Sequence, residues 1–395
     1  MRGHNMRNYD VIIVGAGAAG MMCAGEAVKR GRRVMVIEHA KKPGEKIRIS
    51  GGGRCNFTNL DIRPEAYLGA NPRFALSALK RYSQWDFIAM VDAHGISWHE
   101  KTLGQLFCDD SATAIIDMLR AEMAGADLRL QTAVEAITPD GEGYRLSLPD
   151  GDVTTQSLVI ATGGKSIPKM GATGWAYSVA QQFEIGVTDT RAGLVPFTLD
   201  PDRLSLLAPL RGVAAPVSAT VSGTRFEEAM LFTHRGLSGP AMLQLSSYWR
   251  EGEKISVAFG GVDDLFSHLK MARASNGRRA PATALAERLP KALAQMLCEE
   301  CGVTGNLADM SDKRLTALAQ NAAAWSLVPL GTEGYRTAEV TLGGIDTDHI
   351  DAKTLEARAR AGLYFIGEAV DVTGWLGGYN FQWAWSSGWA AGQVV

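Results

Sequence analysis

The chain has 395 residues and a formal net charge of −2, with 46% hydrophobic and 21% charged residues. This composition is typical of a globular protein of two or three domains and excludes a largely disordered chain. The pI of about 6.4 indicates no overall basic excess, which argues against nucleic acid as a partner but leaves local basic patches open. The five cysteines are scattered along the chain, which favours reduced thiols and a cytoplasmic protein.

No targeting or membrane-spanning segment is expected from the sequence. Residues 1–8 are polar, unlike a signal peptide, and no apolar stretch reaches the length of about 18 residues that a membrane helix needs. Met6 is an alternative to Met1 as the natural start. The sequence gives no indication of the oligomeric state.

The first predicted element is a buried strand that runs directly into a glycine-rich turn. Residues 10–14 are almost entirely apolar, and Gly15, Gly17 and Gly20 follow as G-x-G-x-x-G. In that pattern the glycines allow a tight turn, close approach of a pyrophosphate and close packing of the next helix. A helix over 18–30 would point its N-terminus at the phosphates.

A second strand supports a nucleotide site at this turn. The expected strand over 33–37 is apolar from Val34 onward and is followed by Glu38, at the spacing where a carboxylate bonds the ribose hydroxyls of an adenosine. A 2′-phosphate would be repelled there, which disfavours NADP. The alternative is a glycine-rich strand–helix turn that binds no ligand.

Residues 50–59 read Ser-Gly-Gly-Gly-Arg-Cys-Asn-Phe-Thr-Asn. Three consecutive glycines disfavour any regular element and indicate that the backbone approaches something bulky. Arg54 can pair with a phosphate, and Asn56 can both donate and accept hydrogen bonds. A flexible surface linker is the alternative, but a linker has no need of the flanking Arg-Cys-Asn.

After a dinucleotide fingerprint, this stretch resembles the HI0933-like flavoprotein family. That family comprises NAD(P)- and FAD-dependent oxidoreductases, including aminoacetone-oxidase-type and bile-acid-reductase-type members. The same resemblance is carried by Ala-Thr-Gly-Gly at 161–164, by residues 231–240 and by the Gly-Glu and Gly-Gly-Tyr-Asn-Phe-Gln motifs within 367–382. The chain departs from the family at 104–108, where Gly-Gln-Leu-Phe-Cys replaces Gly-Arg-x-Phe-Pro and removes a cation.

Hydrophobic spacing and turn residues predict the remaining elements. Helices are expected over 71–94, 112–123 and 240–248, and a helical region over 262–325 contains one helix at 282–301 and another at 312–324. Strands at 128–130, 134–137 and 144–148 are expected to form a β-meander that leads to the strand at 157–160. Residues 98–108 are expected to be irregular.

The resemblance implies an α/β protein with a glutathione-reductase-like FAD-binding Rossmann fold, an inserted β-barrel and a small helical subdomain. The FAD-binding domain would comprise 1–190 and 346–395. The barrel would comprise 191–262 and 325–345, and the helical subdomain 263–324.

FAD is the expected cofactor. The helix beginning near Tyr379 would supply positive potential to the reduced flavin, and Glu368 would lie near the ribityl or pyrophosphate group with water or backbone amides mediating. The fingerprint and the resemblance together imply FAD contacts from Gly15, Gly17, Ala18, Ala19, Gly20, Glu38, Lys46, Ser50, Gly53, Arg54, Cys55, Asn56, Val134, Thr162, Gly163, Gly367, Glu368, Gly378, Asn380 and Phe381.

The catalytic residues are poorly determined. His234 could act as an acid or base, although a structural histidine in a turn is at least as good an interpretation. Tyr379 and Trp375 could line the flavin or belong to an aromatic core. Cys55 could be redox-active, but a packing role is favoured. The pair Cys298 and Cys301 is interpreted as incidental, because Gly302 places it at a helix C-terminus.

The main hypothesis is an FAD-dependent oxidoreductase acting on a small-molecule substrate, without metal or membrane. No second dinucleotide fingerprint occurs between 165 and 362, so NAD(P)H would dock transiently; otherwise the substrate would reduce the flavin and oxygen reoxidise it. One alternative is an FAD-containing RNA-modification or RNA-binding protein, with a basic stripe on the inserted domain near Arg273, Arg278 and Arg279. Another is a flavin-holding interaction protein without turnover.

Overall fold

The computed structural model describes residues 7–395, so the choice between Met1 and Met6 lies outside the described residues. The chain divides into two compact units. The first unit comprises the chain up to Arg191 together with Val340–Val395, and the second unit is Ala192–Glu339.

The N-terminal part of the first unit contains ten strands and six α-helices. The strands are β1 (Arg7–Val14), β2 (Val34–Ile37), β3 (Asn56–Asn59), β4 (Tyr67–Leu68), β5 (Trp98–Glu100), β6 (Gln105–Cys108), β7 (Asp127–Arg129), β8 (Ala136–Asp140), β9 (Gly143–Ser147) and β10 (Val153–Ile160). The helices are α1 (Ala18–Lys29), α2 (Glu45–Ile49), α3 (Leu76–Arg81), α4 (Gln84–Ala93), α5 (Thr113–Glu122) and α6 (Trp175–Gln182).

The rest of the chain continues with the second unit and then returns to the first. The strands are β11 (Arg191–Gly193), β12 (Phe197–Thr198), β13 (Ala214–Val221), β14 (Thr224–Phe232), β15 (Gly236–Ser238), β16 (Ile255–Ala258), β17 (Trp325–Leu327), β18 (Gly331–Thr332), β19 (Val340–Leu342), β20 (Leu363–Phe365) and β21 (Thr373–Gly374). The helices are α7 (Pro201–Leu206), α8 (Pro240–Ser246), α9 (Val262–Ser275), α10 (Pro281–Leu285), α11 (Lys291–Glu300), α12 (Asp312–Ala323) and α13 (Tyr379–Gly392).

The first unit is built on a mainly parallel sheet. Five parallel strands lie in the order β7-β2-β1-β10-β20, and β9 and β8 continue from β10 as an antiparallel hairpin. Residues Val11, Ile12 and Ile13 of β1 are completely buried, as expected for a parallel strand covered on both faces. The predicted Rossmann-type α/β fold is confirmed.

The predicted β-meander is wrong in its first member. Strand β7 pairs in parallel with β2, with Met35 opposite Asp127, and the meander consists of β8, β9 and β10 instead. Short apolar runs look alike in parallel and antiparallel pairs, so their spacing alone could not place β7.

Three other predicted elements also differ from the structure. The helix expected over 71–94 is two helices, α3 and α4, because Ser83 and Asp86 form a capping box that starts α4. The helix expected over 282–301 breaks before α11 at Pro290, which has no N–H to continue a helix. Residues 98–108, expected to be irregular, contain β5 and β6, which form a small antiparallel sheet with β3 in the order β3-β6-β5.

The second unit has its own antiparallel sheet and helical layer. Seven strands lie in the order β17-β16-β13-β14-β15-β12-β18. The helices between β16 and β17 bury Leu269, Leu293, Leu297 and Leu315 completely. This unit therefore has an apolar core of its own.

The C-terminal helix α13 packs directly against α1. A Cβ on Gly388 would lie 2.5 Å from the carbonyl oxygen of Ala19, and one on Gly392 would lie 3.0 Å from that of Cys23. Residue numbers rise together in both helices, so the helices run in the same direction. Because Ala19 is the second residue of α1 and Gly388 the tenth of α13, the N-terminus of α13 extends about 12 Å beyond that of α1.

The glycines of the first turn give a test of this packing. A Cβ on Gly20 would lie 1.9 Å from the carbonyl oxygen of Gly15, whereas one on Gly17 would meet nothing within 4 Å. Gly20→Ala should therefore lower the unfolding free energy of the cofactor-free protein by about 1–3 kcal/mol. The matched variant Gly17→Ala should lower it by about 1 kcal/mol or less, as expected at an N-cap. Urea unfolding measures both values, and equal losses would contradict the proposed packing role.

Candidate functional site

The N-terminus of α1 is an open anion site. Gly17 is its N-cap and provides no side chain, and the space beside its Cα is empty of protein. The first amides of the helix, from Ala18 to Gly20, have no acceptor within the helix. Backbone N–H groups and the helix dipole therefore favour a phosphate at this point.

Glu38 lies at the end of β2, beside the same turn. Its carboxylate accepts hydrogen bonds from the backbone amides of Ala16 and Ala40, each at 2.9 Å, and Nδ1 of His39 lies 3.1 Å from Oε1. A carboxylate offers about four acceptor positions. The backbone thus orients Glu38 while leaving it able to accept from ribose hydroxyls.

The triple-glycine stretch forms a tight turn between α2 and β3. Gly51, Gly52 and Gly53 all have left-handed backbone conformations, with φ of 56°, 68° and 87°. A Cβ on Gly51 would strike the Phe107 ring at 2.8 Å, whereas Gly52 and Gly53 face open space. Glycine is required at the first position by the protein itself, and at the next two it leaves room for a ligand.

Cys55 is fully buried behind this turn. Burial raises the pKa of its thiol, so the thiolate that a redox or nucleophilic role requires is disfavoured at neutral pH. The structure therefore supports the packing interpretation of Cys55.

Asn56 and Gln105 contact each other at residues 104–108, where the sequence departs from the family motif. Their side-chain amides lie 3.1 Å apart. A Cβ on Gly377 would lie 2.9 Å from Cδ of Gln105, so Gln105 occupies the space beside the turn that leads into α13. The side chain at this position is therefore a neutral amide, where the family motif has an arginine.

A charged network joins four distant segments at the centre of the site. Lys46 Nζ donates to Oε2 of Glu368 at 2.7 Å and to Oγ of Ser166 at 2.6 Å. Ser166 Oγ and the backbone amide of Thr341 both donate to Oε1 of Glu368, at 2.8 and 2.9 Å. The negative charge of Glu368 is thus balanced by Lys46 as well as by a backbone amide, whereas the sequence had suggested only amides or water.

Two buried polar atoms at this site have no hydrogen-bond partner among the described residues. They are Oγ1 of Thr162, in the Ala-Thr-Gly-Gly turn after β10, and Nε of Arg48, on α2. An unpartnered buried polar atom costs about 1–3 kcal/mol, so such atoms mark places where a ligand completes the bonding. With the open positions at Gly17, Gly52 and Gly53, they fit a bound dinucleotide.

The turn before α13 is fixed by backbone contacts. A Cβ on Gly378, the N-cap of α13, would lie 2.4 Å from the backbone of Thr58. The side chain of Asn380 exchanges hydrogen bonds with the backbone of Gly374, at 2.8 and 2.9 Å. The Phe381 ring stacks on Trp385. This arrangement holds the N-terminus of α13 in place, about 12 Å beyond that of α1 along the shared helix direction.

The residues expected to contact the cofactor all lie in the first unit. Gly367 follows β20, where a Cβ would lie 2.9 Å from that of Ala19, and Gly163 has its Cα beside Glu368. Val134 is half-buried in the segment before β8, and Ser50 begins the glycine turn, where its hydroxyl donates to the carbonyl of Ile47 at 2.7 Å. The exposed Arg54 ends that turn.

The two weak catalytic candidates lie in different surroundings. His234 is exposed in the turn between β14 and β15 of the second unit. Tyr379 is buried, with its ring against those of Tyr67 and Trp375. Their catalytic roles stay predictions.

Three residues of the site were missed from the sequence: Arg48, Ser166 and Thr341. Ser166 lies two residues after the Ala-Thr-Gly-Gly motif, but the sequence gave no role for its hydroxyl. Thr341 follows the second unit in the sequence and belongs to no recognisable motif. Its Oγ1 accepts from the amides of Lys165 and Ser166, at 2.8 and 3.1 Å.

Cys298 and Cys301 lie at the C-terminal end of α11, where burial raises the pKa of both thiols, that of Cys298 to about 12. Among residues 7–395, no cluster of His, Cys, Asp and Glu could hold a metal ion. No helix in that range is long and apolar enough to cross a membrane.

The parallel sheet, the glycine turn and the C-terminal helix define an FAD-binding oxidoreductase of the Rossmann class. The HI0933-like protein Rossmann domain matches residues 9–394, and the chain belongs to this family. The 3-ketosteroid-Δ4-(5α)-dehydrogenase of Rhodococcus jostii has a similar fold, with a TM-score of 0.53 and 14% identity over 99% of this chain and 98% of that one.

Three curated relatives match along nearly their whole length. A ribosomal RNA dihydrouridine synthase of Escherichia coli is 52% identical, covering 98% of each chain, and one of Haemophilus influenzae is 46% identical, covering 96% of each. A 3-dehydro-bile acid Δ4,6-reductase of Clostridium scindens is 26% identical, covering 97% of this chain and 98% of the relative.

These relatives correct the expected partners. The expectation of a small-molecule substrate without nucleic acid is wrong, because the two relatives with the higher identity are named for ribosomal RNA. The physical reason for the error is that the net charge of −2 averages over the whole chain and cannot show a local basic surface.

The unpartnered hydroxyl of Thr162 gives a test of the cofactor fit. Thr162→Val removes a buried polar atom without a partner, so the cofactor-free protein should keep or gain stability while its affinity for FAD falls. In the control variant Thr341→Val two amides lose their acceptor, so the cofactor-free protein should lose about 1–3 kcal/mol. Thermal unfolding without cofactor and FAD titration measure these effects. If Thr162→Val binds FAD as tightly as the wild type, the hydroxyl does not face the cofactor.

Burial of Cys55 predicts slow chemical modification. In the native protein at mildly alkaline pH, iodoacetamide should alkylate Cys55 far more slowly than Cys301, which is only partly buried, because both access and thiolate formation are suppressed. Both residues should react at similar rates in denaturant. Peptide mass spectrometry over time gives the rates, and rapid labelling of native Cys55 would restore the redox interpretation.

Proposed function

We propose that this chain is an FAD-dependent ribosomal RNA dihydrouridine synthase, which reduces the C5=C6 bond of selected uridines. The observation that carries the proposal is the 52% identity to a protein of that name over 98% of both chains. The relative at 46% identity has the same name. The site geometry supports a bound flavin at which such a reduction takes place.

The proposed reaction adds two hydrogens to a carbon–carbon double bond. A hydride is delivered to one carbon of the uracil C5=C6 bond and a proton to the other, while the C4 carbonyl conjugated to the bond accepts the developing negative charge. Bound FAD supplies the two-electron carrier for this reaction. NAD(P)H is the proposed reductant, and it docks transiently and leaves as NAD(P)⁺.

We propose that the first unit holds FAD in an extended form between two helix N-termini. The α1 amides bind the pyrophosphate and Glu38 bonds the adenosine ribose. Lys46 keeps Glu368 neutralised beside the central part of the cofactor, and the N-terminus of α13 supplies positive potential to the isoalloxazine. The second unit, with its sheet and helical layer, is the proposed inserted domain.

A second candidate is the reduction of a small conjugated ketone. The observation in its favour is the full-length match to the bile acid Δ4,6-reductase at 26% identity. The chemistry is related, because a uracil and an unsaturated ketone each carry a double bond conjugated to a carbonyl. The lower identity makes this the weaker candidate.

A direct assay separates the two candidates. The purified protein, reconstituted with FAD and supplied with NADPH or NADH, should form dihydrouridine in protein-free rRNA isolated from cells that lack the gene. The rRNA is digested to nucleosides, and mass spectrometry detects uridine that has gained two hydrogens. Unsaturated steroid ketones, tested in parallel by anaerobic flavin oxidation, should react slowly or not at all.

The outcomes are distinct. A flavin-containing protein that reduces the ketones but leaves rRNA unchanged would replace the main proposal with the second candidate. A protein that binds no FAD would contradict both candidate functions.

Lys46→Met should lower FAD retention and dihydrouridine formation together, because it leaves Glu368 without its cation near the phosphates.

A further inference from the structure

The charge of the chain is distributed unevenly. Residues 41–81 contain nine Lys and Arg against three Asp and Glu, a formal charge of +6, so the rest of the chain carries −8 to give the net −2. This segment runs from the loop after β2 through the glycine turn, β3 and β4 to the end of α3. Two elements of this basic segment, β3 and α3, pack against α13.

Several of these cations are available to a partner. Arg73 and Lys80 are exposed, and neither forms an ion pair within residues 7–395. Arg63 pairs only with Asp61 at 3.4 Å, and both side chains are about half exposed. Such a surface pair contributes little stability, so a phosphate can replace Asp61 at small cost.

The cations follow α13 along its length. The Arg63 guanidinium lies over the ring of Trp375, 5.2 Å from its centroid, just before the helix begins. Arg73 is next to Phe74, whose ring contacts Trp383. Arg81 lies over the ring of Trp389, near the end of the helix. From Tyr379 to Trp389 the helix rises about 15 Å, so the cations form a stripe beside it that is long enough to follow several phosphates.

Aromatic rings accompany the cations at both ends of this stripe. Trp375 and Trp389 are half-buried, and the Trp389 ring stacks on Tyr82 with ring centroids 5.7 Å apart. Single-stranded RNA is recognised by a combination of backbone cations with aromatic or guanidinium planes on which bases stack. The stripe has both features, and its Trp375 end lies against Tyr379, the first residue of α13, with ring centroids 6.2 Å apart.

The second unit, described by itself, lacks this charge excess. Ala192–Glu339 contains fifteen Lys and Arg and fifteen Asp and Glu. Arg273 of α9 pairs with Asp312, and Arg279 pairs with Glu287. Two of the three arginines on which the RNA hypothesis placed a basic stripe are thus paired within the unit, whereas Arg278 is exposed.

We propose that Arg63, Arg73, Lys80 and Arg81, with Trp375 and Trp389, form the surface that binds the rRNA strand and directs its target uridine toward the N-terminus of α13. The inference rests on the proposed function for the identity of the RNA. The cations contact phosphates on either side of the target. The Arg63–Trp375 pair stacks against the nucleotide next to it.

A pair of matched double variants tests the surface. Arg73→Glu with Lys80→Glu changes two exposed cations of the stripe, and Arg278→Glu with Lys313→Glu changes two exposed cations of the second unit. Each pair lowers the net charge by the same amount. Binding of the FAD-loaded protein to fluorescently labelled, protein-free rRNA fragments is measured at several salt concentrations.

The stripe variant should lose affinity at least about 10-fold at moderate salt, and the slope of log K against log salt should fall by about two. The control variant should bind like the wild type. Both should retain FAD and be reduced by NAD(P)H at the wild-type rate, which shows that the cofactor site is intact.

Three results would each contradict the proposed RNA-binding surface. They are wild-type affinity in the stripe variant, an equal loss of affinity in the control variant, and absence of rRNA binding by the wild type. Dihydrouridine formation is scored separately. If the wild type binds rRNA through the stripe but forms no dihydrouridine, the proposed function fails and the surface stands. If it forms dihydrouridine and the stripe variant binds and turns over normally, the surface fails and the function stands.

Discussion

The close parallel packing of α1 against α13 is the contact on which the rest of the first unit depends. At Gly388 and Gly392 no side chain fits, because a Cβ would meet the backbone or side chains of α1 at 2.5 Å. The contact brings the two ends of the chain together and points both helices in one direction. Two helix N-termini, each equivalent to about half a positive charge, then face the same side with an offset that suits an extended dinucleotide.

Negative side chains within this positive frame have to be neutralised. Glu38 is held by two backbone amides, and Glu368 by Lys46, Ser166 and a backbone amide. A partly buried carboxylate without such partners would be costly and would repel phosphates. The network around Glu368 draws on four separate chain segments, so it also fastens the glycine turn after β10 to the C-terminal segment.

The parts of the fold that sequence predicts are those whose conformation is encoded locally. The β1–α1 turn, Glu38 and the start of α13 follow from glycine spacing and apolar runs, each of which has a local steric reason. The parallel position of β7 beside β2 and the pairing of β6 with β3 depend on partners far along the chain. Thr341 joins the site through contacts with Lys165 and Ser166, a relation that no local pattern of residues records.

The expectation about nucleic acid failed for a related reason, since net charge is a sum and recognition depends on position. A strand of RNA responds to the potential within about one Debye length, on the order of 10 Å at moderate salt. The sum over the whole chain, −2, therefore does not fix the local potential at any one surface. A protein with a pI of about 6.4 can therefore present a strongly basic surface.

A shared cofactor frame leaves substrate choice to the residues around its open end. Uracil and an unsaturated steroid ketone need the same hydride delivery beside a conjugated carbonyl, so the proposed flavin site alone cannot distinguish them. A polyanion and an apolar steroid differ most in what lies around the reacting ring. In this chain the neutral Gln105 lies beside Gly377, and the proposed phosphate contacts lie along α13. Phosphates would then be held away from the reduced flavin, whose developing negative charge they would otherwise oppose.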